Sequence, residues 1–241
     1  MTEGLDLATR SFRDLRAFAA AATIPADTHG DPYLVSRAAL DLPQGPVSVS
    51  LVVLPQGRGR VDILPDDEFL ILLEGALILE GTDETVQLAV NQSAVITKGT
   101  GFTWSSREGS RLIALRRNGS PAGTPAIIPI DESAPLEPSG APLAELLVGA
   151  TPNCRNFTDY RSGDGEFVCG TWDSTPYHRL SMPYRHYELM HLLEGSATFV
   201  DGDGREGTFR EGDIFLIEQG AQCSWDSREH VKKVYAIYRP A

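Results

Sequence analysis

The chain has 241 residues and carries 21 Lys and Arg against 33 Asp and Glu, a formal net charge of −12. This length accommodates two domains of ordinary size, and the acidic balance without a basic stripe argues against nucleic acid or an anionic membrane as a partner. No apolar run reaches the roughly 18 residues that span a bilayer, and three cysteines without Cys-x-x-Cys spacing argue against a disulfide framework and a structural zinc site. These features predict a soluble protein of the reducing cytoplasm.

The first predicted element is a helix in the stretch SFRDLRAFAAAA. Ser11 is its predicted N-cap. Phe12, Leu15, Phe18 and Ala19 fall on one helical face. We expect this helix to pack against a sheet.

The rest of the chain reads as strands, starting at PVSVSLVVL. Short apolar or alternating runs follow, broken by Gly, Asp, Asn and Pro, and include FLILLEGALILEG, SAVITKG, RLIALRR, EFVCGTW, ELMHLLEGSATFVDGDG and GDIFLIEQG. Closely spaced strands of this kind predict an all-β sandwich or barrel. Residues 118–153, rich in Pro, Gly and Ser, predict a linker with one short helix or strand at LAELLV. We therefore expect an N-terminal unit with its leading helix at 1–117 and a C-terminal unit at 154–241.

The two predicted units contain the same phrases. ILLEGALIL and HLLEGSATF lie 120 residues apart, and Glu68 precedes Gly75 by seven residues just as Glu188 precedes Gly195. Further on, KGTGFTWSSRE parallels QGAQCSWDSRE, with the tryptophans at an offset of 121. Two matched blocks with one inserted residue between them indicate a duplicated domain.

The repeated phrases resemble the motifs of the cupin superfamily. The first cupin motif ends in Glu, six residues and Gly, and the second, Gly-x5-Pro-x-Gly-x2-His, is echoed by GDIFLIEQGAQC. The phrases GTWDSTP and SWDSREHVKKVYAIY are similar to the DUF861 (cupin_3) subgroup, which includes ureidoglycine aminohydrolase-like and ethanolamine-utilisation-like cupin domains. The resemblance implies a bicupin: an all-β chain of two RmlC-like double-stranded β-helix (jelly-roll) barrels in tandem, preceded by a short helix.

The resemblance also implies a place for a metal. Metal-dependent cupins hold a divalent ion with two His and the Glu of the first motif plus the His of the second. In the C-terminal half these positions carry Met182, Tyr184, Glu188 and Cys223. Only Glu188 is a family ligand, but His186 lies two residues before it and enters the same side of a strand. A divalent cofactor on His186, Glu188 and Cys223, completed by His178 or Tyr184, therefore stays open, although we expect no metal here.

The N-terminal half carries no imidazole at the corresponding positions. They are Asp62, Leu64, Glu68 and Phe102. This set is a poor transition-metal site, so we expect a scaffold or pairing partner. The alternative is an acidic pocket of Asp62, Asp66 and Glu68 for a cation or amine; solvated acids on a turn are the more ordinary interpretation.

The C-terminal half retains the composition of a small-molecule site. The predicted ligand-binding residues are Trp172, Tyr184, His186, Glu188, Cys223 and Trp225. Aromatic walls with a few placed polar groups are typical of such pockets, and Glu188 is the candidate catalytic residue. The alternative for the tryptophans is a core role with the indole N–H on a backbone carbonyl, which we favour for Trp104.

Other basic residues are weaker candidates. For Lys232 and Lys233 we expect edge protection or a surface ion pair, although an inward Lys could pair with Glu188 or a substrate carboxylate. His191 is out of phase with Glu188 and should face the other barrel or a second subunit. Surface positions are expected for His29 and His230, and His178 is expected on a loop near the barrel mouth.

Three functions remain compatible with this sequence. The first is a bicupin of undetermined specific role that binds a small molecule in its C-terminal barrel. The second is a metal-dependent enzyme of ureidoglycine aminohydrolase type acting on a small C–N substrate. The third is a structural or regulatory module that forms a homodimer through edge strands such as EFVCGTW. Fold-level resemblance does not choose among them, because one barrel hosts many activities.

Overall fold

The computed structural model describes residues 11–25 and 29–241. The first elements are β1 (Phe12–Asp14), α1 (Leu15–Ala21), α2 (Pro32–Val35), β2 (Arg37–Ala39), β3 (Val47–Leu54), β4 (Gly57–Val61), β5 (Asp67–Glu80), β6 (Thr85–Leu88), β7 (Ser93–Ile96) and β8 (Phe102–Arg117). Next come β9 (Ile127–Pro129), β10 (Glu137–Ser139), the 3-10 turn η1 (Ala144–Leu146) and β11 (Leu147–Val148). The last are β12 (Cys154–Arg161), β13 (Phe167–Ser174), β14 (Tyr177–Pro183), β15 (Tyr187–Glu194), β16 (Ser196–Val200), β17 (Glu206–Arg210), β18 (Ile214–Ile217), β19 (Gln222–Ser227) and β20 (Val231–Tyr238). Across these two ranges, no helix is long and apolar enough to cross a membrane.

The N-terminal barrel is one antiparallel sheet that wraps around an apolar interior. Its order is β2-β3-β8-β5-β7-β9, with β4 added to β8 and β6 added to β5. The long strands β5 and β8 pair along their lengths through two register shifts, and such bulges bend a strand. Leucine, valine and isoleucine side chains fill the interior together with Tyr33, Phe102 and Trp104.

The C-terminal barrel consists of two facing sheets. One has the order β1-β18-β15-β20-β13-β12-β10 and the other β11-β14-β19-β16-β17. Aromatic side chains fill the end of the barrel around Phe199, Phe209 and Phe215, and Phe12 joins them. The jelly-roll fold class and the tandem of two barrels predicted from the repeat are confirmed.

A third apolar core lies between the barrels. Strand alternation on β15 sends Met190 and Leu192 into the C-terminal barrel and Leu189 outward. There Leu189 joins side chains of the N-terminal barrel such as Phe69 and Ile71. Fully burying an apolar side chain of this size contributes about 1.5–3 kcal/mol, so the shared core holds the two barrels together.

The repeated Leu-Leu-Glu-Gly phrase marks the same bend in each barrel. Gly75 and Gly195 have φ angles of +84° and +75°, a left-handed conformation that glycine adopts without cost. A Cβ atom at Gly75 would clash with the carbonyl oxygen of Gly109, and one at Gly195 with that of His230. Gly75 follows a register shift within β5, and Gly195 follows a register shift at the end of β15. The duplication therefore preserves a backbone turn that no other residue type fits.

The leading helix is shorter than predicted. Ser11 is not its cap, because Phe12–Asp14 forms strand β1 against β18 and the helix begins at Leu15. Asp14 caps the helix by accepting a backbone N–H in the first turn. Phe12 leaves the predicted helical face because its ring is buried in the C-terminal barrel. Leu15 and Ala19 do pack in the shared core, against the sheet as expected.

The predicted linker, residues 118–153, is partly built into both barrels. Its strand β9 pairs with β7 of the N-terminal barrel, whereas β10 pairs with β12 and β11 with β14 of the C-terminal barrel. The LAELLV stretch forms the turn η1 and strand β11. The domain limits at 117 and 154 stay a prediction.

Candidate functional site

The C-terminal barrel contains a cavity of about 680 Å³, lined in part by residues of β12 and β13. Its base carries His186, Glu188 and Lys233. Its walls include Trp172, Tyr177, Arg179, Met182, Tyr184, Trp225 and Tyr235. Residues 139–143 of the linker also line it. The volume lies within the range of small-molecule sites, about 300–1,000 Å³.

A buried acid–base cluster forms the base of the cavity. Glu188, 7% exposed, accepts a hydrogen bond from Lys233 Nζ at 2.8 Å on Oε1. His186 Nε2 lies 3.1 Å from Oε2 and donates, because an ionised carboxylate only accepts. His186 and Glu188 share a side for the reason the sequence predicts, their spacing of two.

Lys233 reaches this cluster from the neighbouring strand. Strand β20 pairs with β15 so that Lys233 lies opposite Leu192, whose side chain points into the barrel. The expected surface position of Lys233 is therefore wrong. The alternative, an inward Lys paired with Glu188, is what the register produces.

Charge stabilises the ionised form of Glu188. Burial by itself would raise the pKa of this carboxyl group, but the positive charge of Lys233 and the hydrogen bond from His186 outweigh it and hold the pKa well below its usual range. Glu188 is therefore ionised at neutral pH. It accepts hydrogen bonds there, is a weak base because its pKa is lowered, and has no proton to donate.

Aromatic rings surround the Lys233 ammonium. Its Nζ lies 4.7 Å from the ring centre of Trp172 and 5.3 Å from that of Trp225, within the range of cation–π attraction. Trp225 stacks on Tyr177 and donates its indole N–H to Ser227 Oγ at 3.0 Å. Trp225 thus has both predicted roles: it belongs to the core and one part of it lines the cavity.

Arg179 is a cavity residue that the sequence analysis missed. It lies opposite Trp225 in the β14–β19 pair and is 3% exposed. Its guanidinium donates to the carbonyl oxygens of Leu180 and Cys223 and to the hydroxyl of Tyr184. The phrase STPYHRL contained the only signal, an arginine in phase with Tyr177 on a strand.

The structure brings five of the six predicted ligand-binding residues together. Trp172, Tyr184, His186, Glu188 and Trp225 line the cavity. Tyr184 stands beside His186, with ring centres 5.3 Å apart, and burial raises the pKa of its hydroxyl. Cys223 does not join them. It is fully buried in the barrel core, and burial raises the pKa of its thiol to about 11, so it packs as a small apolar residue.

Part of the chain matches a known domain family. Residues 161–235 match the model of the EutQ-like cupin domain. A crystal structure of a protein of unknown function of the DUF861 family, from Pseudomonas syringae pv. tomato str. DC3000, is 29% identical, with a TM-score of 0.81 over 89% of this chain and 91% of that one. Residues 161–235 are therefore similar to a EutQ-like cupin domain.

More distant cupins share the fold alone. E. coli YlbA, also described as DUF861, is 14% identical with a TM-score of 0.54 over 85% of this chain and 84% of that one. Salicylate 1,2-dioxygenase from Pseudaminobacter salicylatoxidans is 10% identical with a TM-score of 0.53 over 84% of this chain and 76% of that one. A search of curated proteins found no match.

The residues of this site do not fit the metal that the cupin resemblance implies. Among residues 11–25 and 29–241, no group of three or more His, Cys, Asp or Glu side chains is arranged to hold a metal ion. Cys223 is buried away from the cavity wall. The ammonium of Lys233 occupies one oxygen of Glu188 and repels a second cation. One imidazole and one neutralised carboxylate are a poor donor set for a transition metal.

The N-terminal barrel holds its counterpart carboxylate in a closed network. Glu68 is fully buried and accepts hydrogen bonds from Arg37, Arg116 and Tyr33. Burial would raise the pKa of Glu68, but the charges of Arg37 and then Arg116 lower it to about 2. The acidic-pocket alternative is therefore wrong, because two cations already neutralise this acid. The interpretation as solvated acids holds for Asp62, which is 85% exposed, but not for Glu68, which is fully buried.

The remaining candidates lie away from the cavity. Trp104 is a core residue as expected, although its indole N–H donates to the carboxylate of Asp31 rather than to a carbonyl. His191 is buried and lies on the same side of β15 as Leu189, whose side chain belongs to the core between the barrels, also as expected. His29 and His230 are exposed. His178 lies on strand β14 instead of a loop and faces away from the cavity.

Proposed function

We propose that the C-terminal barrel of this cupin binds a small organic molecule among Trp172, Tyr184, His186, Glu188 and Trp225, without a metal ion. The cavity of about 680 Å³ above a buried polar cluster is the observation that carries this proposal. Apolar walls supply binding free energy through buried area. The few fixed polar groups supply orientation.

The polar cluster supports binding because it is already organised. Glu188 is held from two sides by His186 and Lys233, and Lys233 is held between Trp172 and Trp225. Groups fixed in this way lose little conformational entropy when a ligand arrives. A catalytic role for Glu188 would be that of a hydrogen-bond acceptor that holds the substrate, and it stays a prediction.

The two alternatives have less support. An aminohydrolase of the ureidoglycine type needs a metal, and Lys233 neutralises the only family ligand. Dimerisation through EFVCGTW would need an edge strand, but this strand, β13, lies between β12 and β20. The core between the barrels also buries within one chain a surface that separate cupin barrels would present to a partner.

A fragment screen tests the proposal. Ligand-observed NMR on the full chain would cover small neutral, anionic and cationic fragments, and hits would be followed by thermal shift, since saturating ligand at 100 times its Kd stabilises by about 2.7 kcal/mol. We expect Trp172→Ala to abolish the hits and His178→Ala, a substitution on the outer face of the same barrel, to keep them. A screen without hits, or hits that Trp172→Ala retains, would refute the proposal.

Metal analysis separates it from the enzymatic alternative. Elemental mass spectrometry on protein purified without a tag or chelator should find no stoichiometric transition metal. Near-stoichiometric metal that disappears in both His186→Ala and Glu188→Ala would put the metal-dependent enzyme first.

A further inference from the structure

Arg179 is a buried cation that no acid of the described chain neutralises. Among residues 11–25 and 29–241, no carboxylate oxygen lies within 4 Å of its guanidinium nitrogens. Its three hydrogen bonds go to two carbonyl oxygens and the Tyr184 hydroxyl. Two of its five N–H donors, the Nε–H among them, have no acceptor in these ranges. Taking a charge out of water without a counter-ion costs free energy. An anion that binds this guanidinium would therefore be stabilised.

The residues that line the cavity carry a net positive charge, although the protein as a whole is negative. The chain carries a net charge of −12, yet the cavity lining has four basic residues against two acidic ones. The basic ones are Arg161, Arg179, Lys233 and Arg239, and the acidic ones are Glu166 and Glu188. Clefts lined by one sign of charge concentrate ligands of the opposite sign. In the interior, Lys233 is balanced by Glu188, which leaves the single charge of Arg179 unbalanced.

We propose that the ligand of the C-terminal barrel is a small monocarboxylate with an apolar or aromatic body, whose carboxylate binds the guanidinium of Arg179. This inference rests on the proposed function and adds the class of ligand. The fork of donors in a guanidinium matches the two oxygens of a carboxylate. The body of the ligand would contact Trp172 and Trp225, which line the same cavity.

Other charge classes fit the cavity less well. An amine would lie beside Arg179 and Lys233 and be repelled by both. A neutral molecule would leave the Arg179 charge unbalanced. A dicarboxylate would bring one negative charge more than the interior balances, and Glu188 would repel it.

Three matched probes test this class: sodium benzoate, benzamide and benzylamine, titrated into the full chain by isothermal calorimetry at fixed ionic strength. We expect wild type to bind benzoate at least about tenfold more tightly than benzamide. Arg179→Gln should remove this preference, Arg179→Lys should keep part of it, and Arg210→Gln, an exposed arginine of the same barrel, should leave it intact. Circular dichroism and thermal unfolding would verify the fold of each variant.

The outcomes separate this inference from the proposed function. Benzamide or benzylamine bound as tightly as benzoate by wild type, or an unchanged preference in folded Arg179→Gln, overturns the carboxylate assignment while cavity binding stands. If Arg179→Gln does not fold, the wild-type comparison still decides. If none of the three probes binds but neutral fragments occupy the cavity, only the carboxylate assignment fails; if no fragment of any charge binds, both proposals fail.

Discussion

Replacing Glu188 by Gln should leave the ammonium of Lys233 buried in the barrel without a counter-ion. The two side chains are 9% and 8% exposed and meet at 2.8 Å, so solvent screens their attraction little. Removing one partner of such a pair costs about 3–5 kcal/mol. Glutamine keeps an oxygen that can accept from Lys233, so we expect about 3 kcal/mol, or a fall in Tm of about 6–12 °C.

Urea unfolding followed by tryptophan fluorescence would measure this cost. A double-mutant cycle with Lys233→Met isolates the pair, because the double variant contains neither charge and should lose less than the sum of the single variants by at least about 1.5 kcal/mol. Glu194→Gln on the same strand, 58% exposed, is the control and should change stability by less than about 0.5 kcal/mol. A loss below about 1 kcal/mol for Glu188→Gln, or additive single variants, would refute the buried-pair description.

Three further substitutions address the fold. Gly195→Ala should destabilise far more than Gly119→Ala in thermal unfolding, because both glycines have φ near +75° but only the first would place its Cβ against backbone; equal losses would contradict the steric explanation. Burial and then the charge of Arg16 lower the pKa of His191 to about 4. As the pH drops, the unfolded chain binds this proton before the folded chain does, so the free energy of unfolding should fall between pH 6.5 and pH 4. A His191→Gln protein with the same pH profile would show that another group is responsible. Tyr33→Phe removes the hydroxyl that donates to Glu68 and should cost about 1–3 kcal/mol in urea unfolding without changing fragment binding, whereas altered binding would show that the two barrels are coupled.

Period-two alternation explains why part of the site could be predicted. Within one strand, residues two apart share a face, so the grouping of His186 with Glu188 followed directly from HYE. The same rule placed His191 on the opposite face. The duplicated Glu-x6-Gly phrase predicted the fold, because Gly75 and Gly195 each occupy a turn that glycine alone fits.

Residues on separate strands were harder to predict. Lys232 and Lys233 are adjacent, and which of them enters the barrel depends on the register of β20 against β15, including the shift between Leu192 and Glu194. Cys223 was expected beside Glu188 from the family motif, but its side chain is packed in the barrel core.

The sequence by itself determined what depends on near neighbours: an all-β chain, its duplication, the glycine turns and the faces of single strands. Tertiary structure alone decided that Lys233 neutralises Glu188, that Arg179 enters the cavity without an acid beside it, and that two arginines close the network around Glu68. The reason is physical. A side chain's charge partner is set by which strands lie adjacent and in what register, and these follow from burying three apolar cores together rather than from any local pattern.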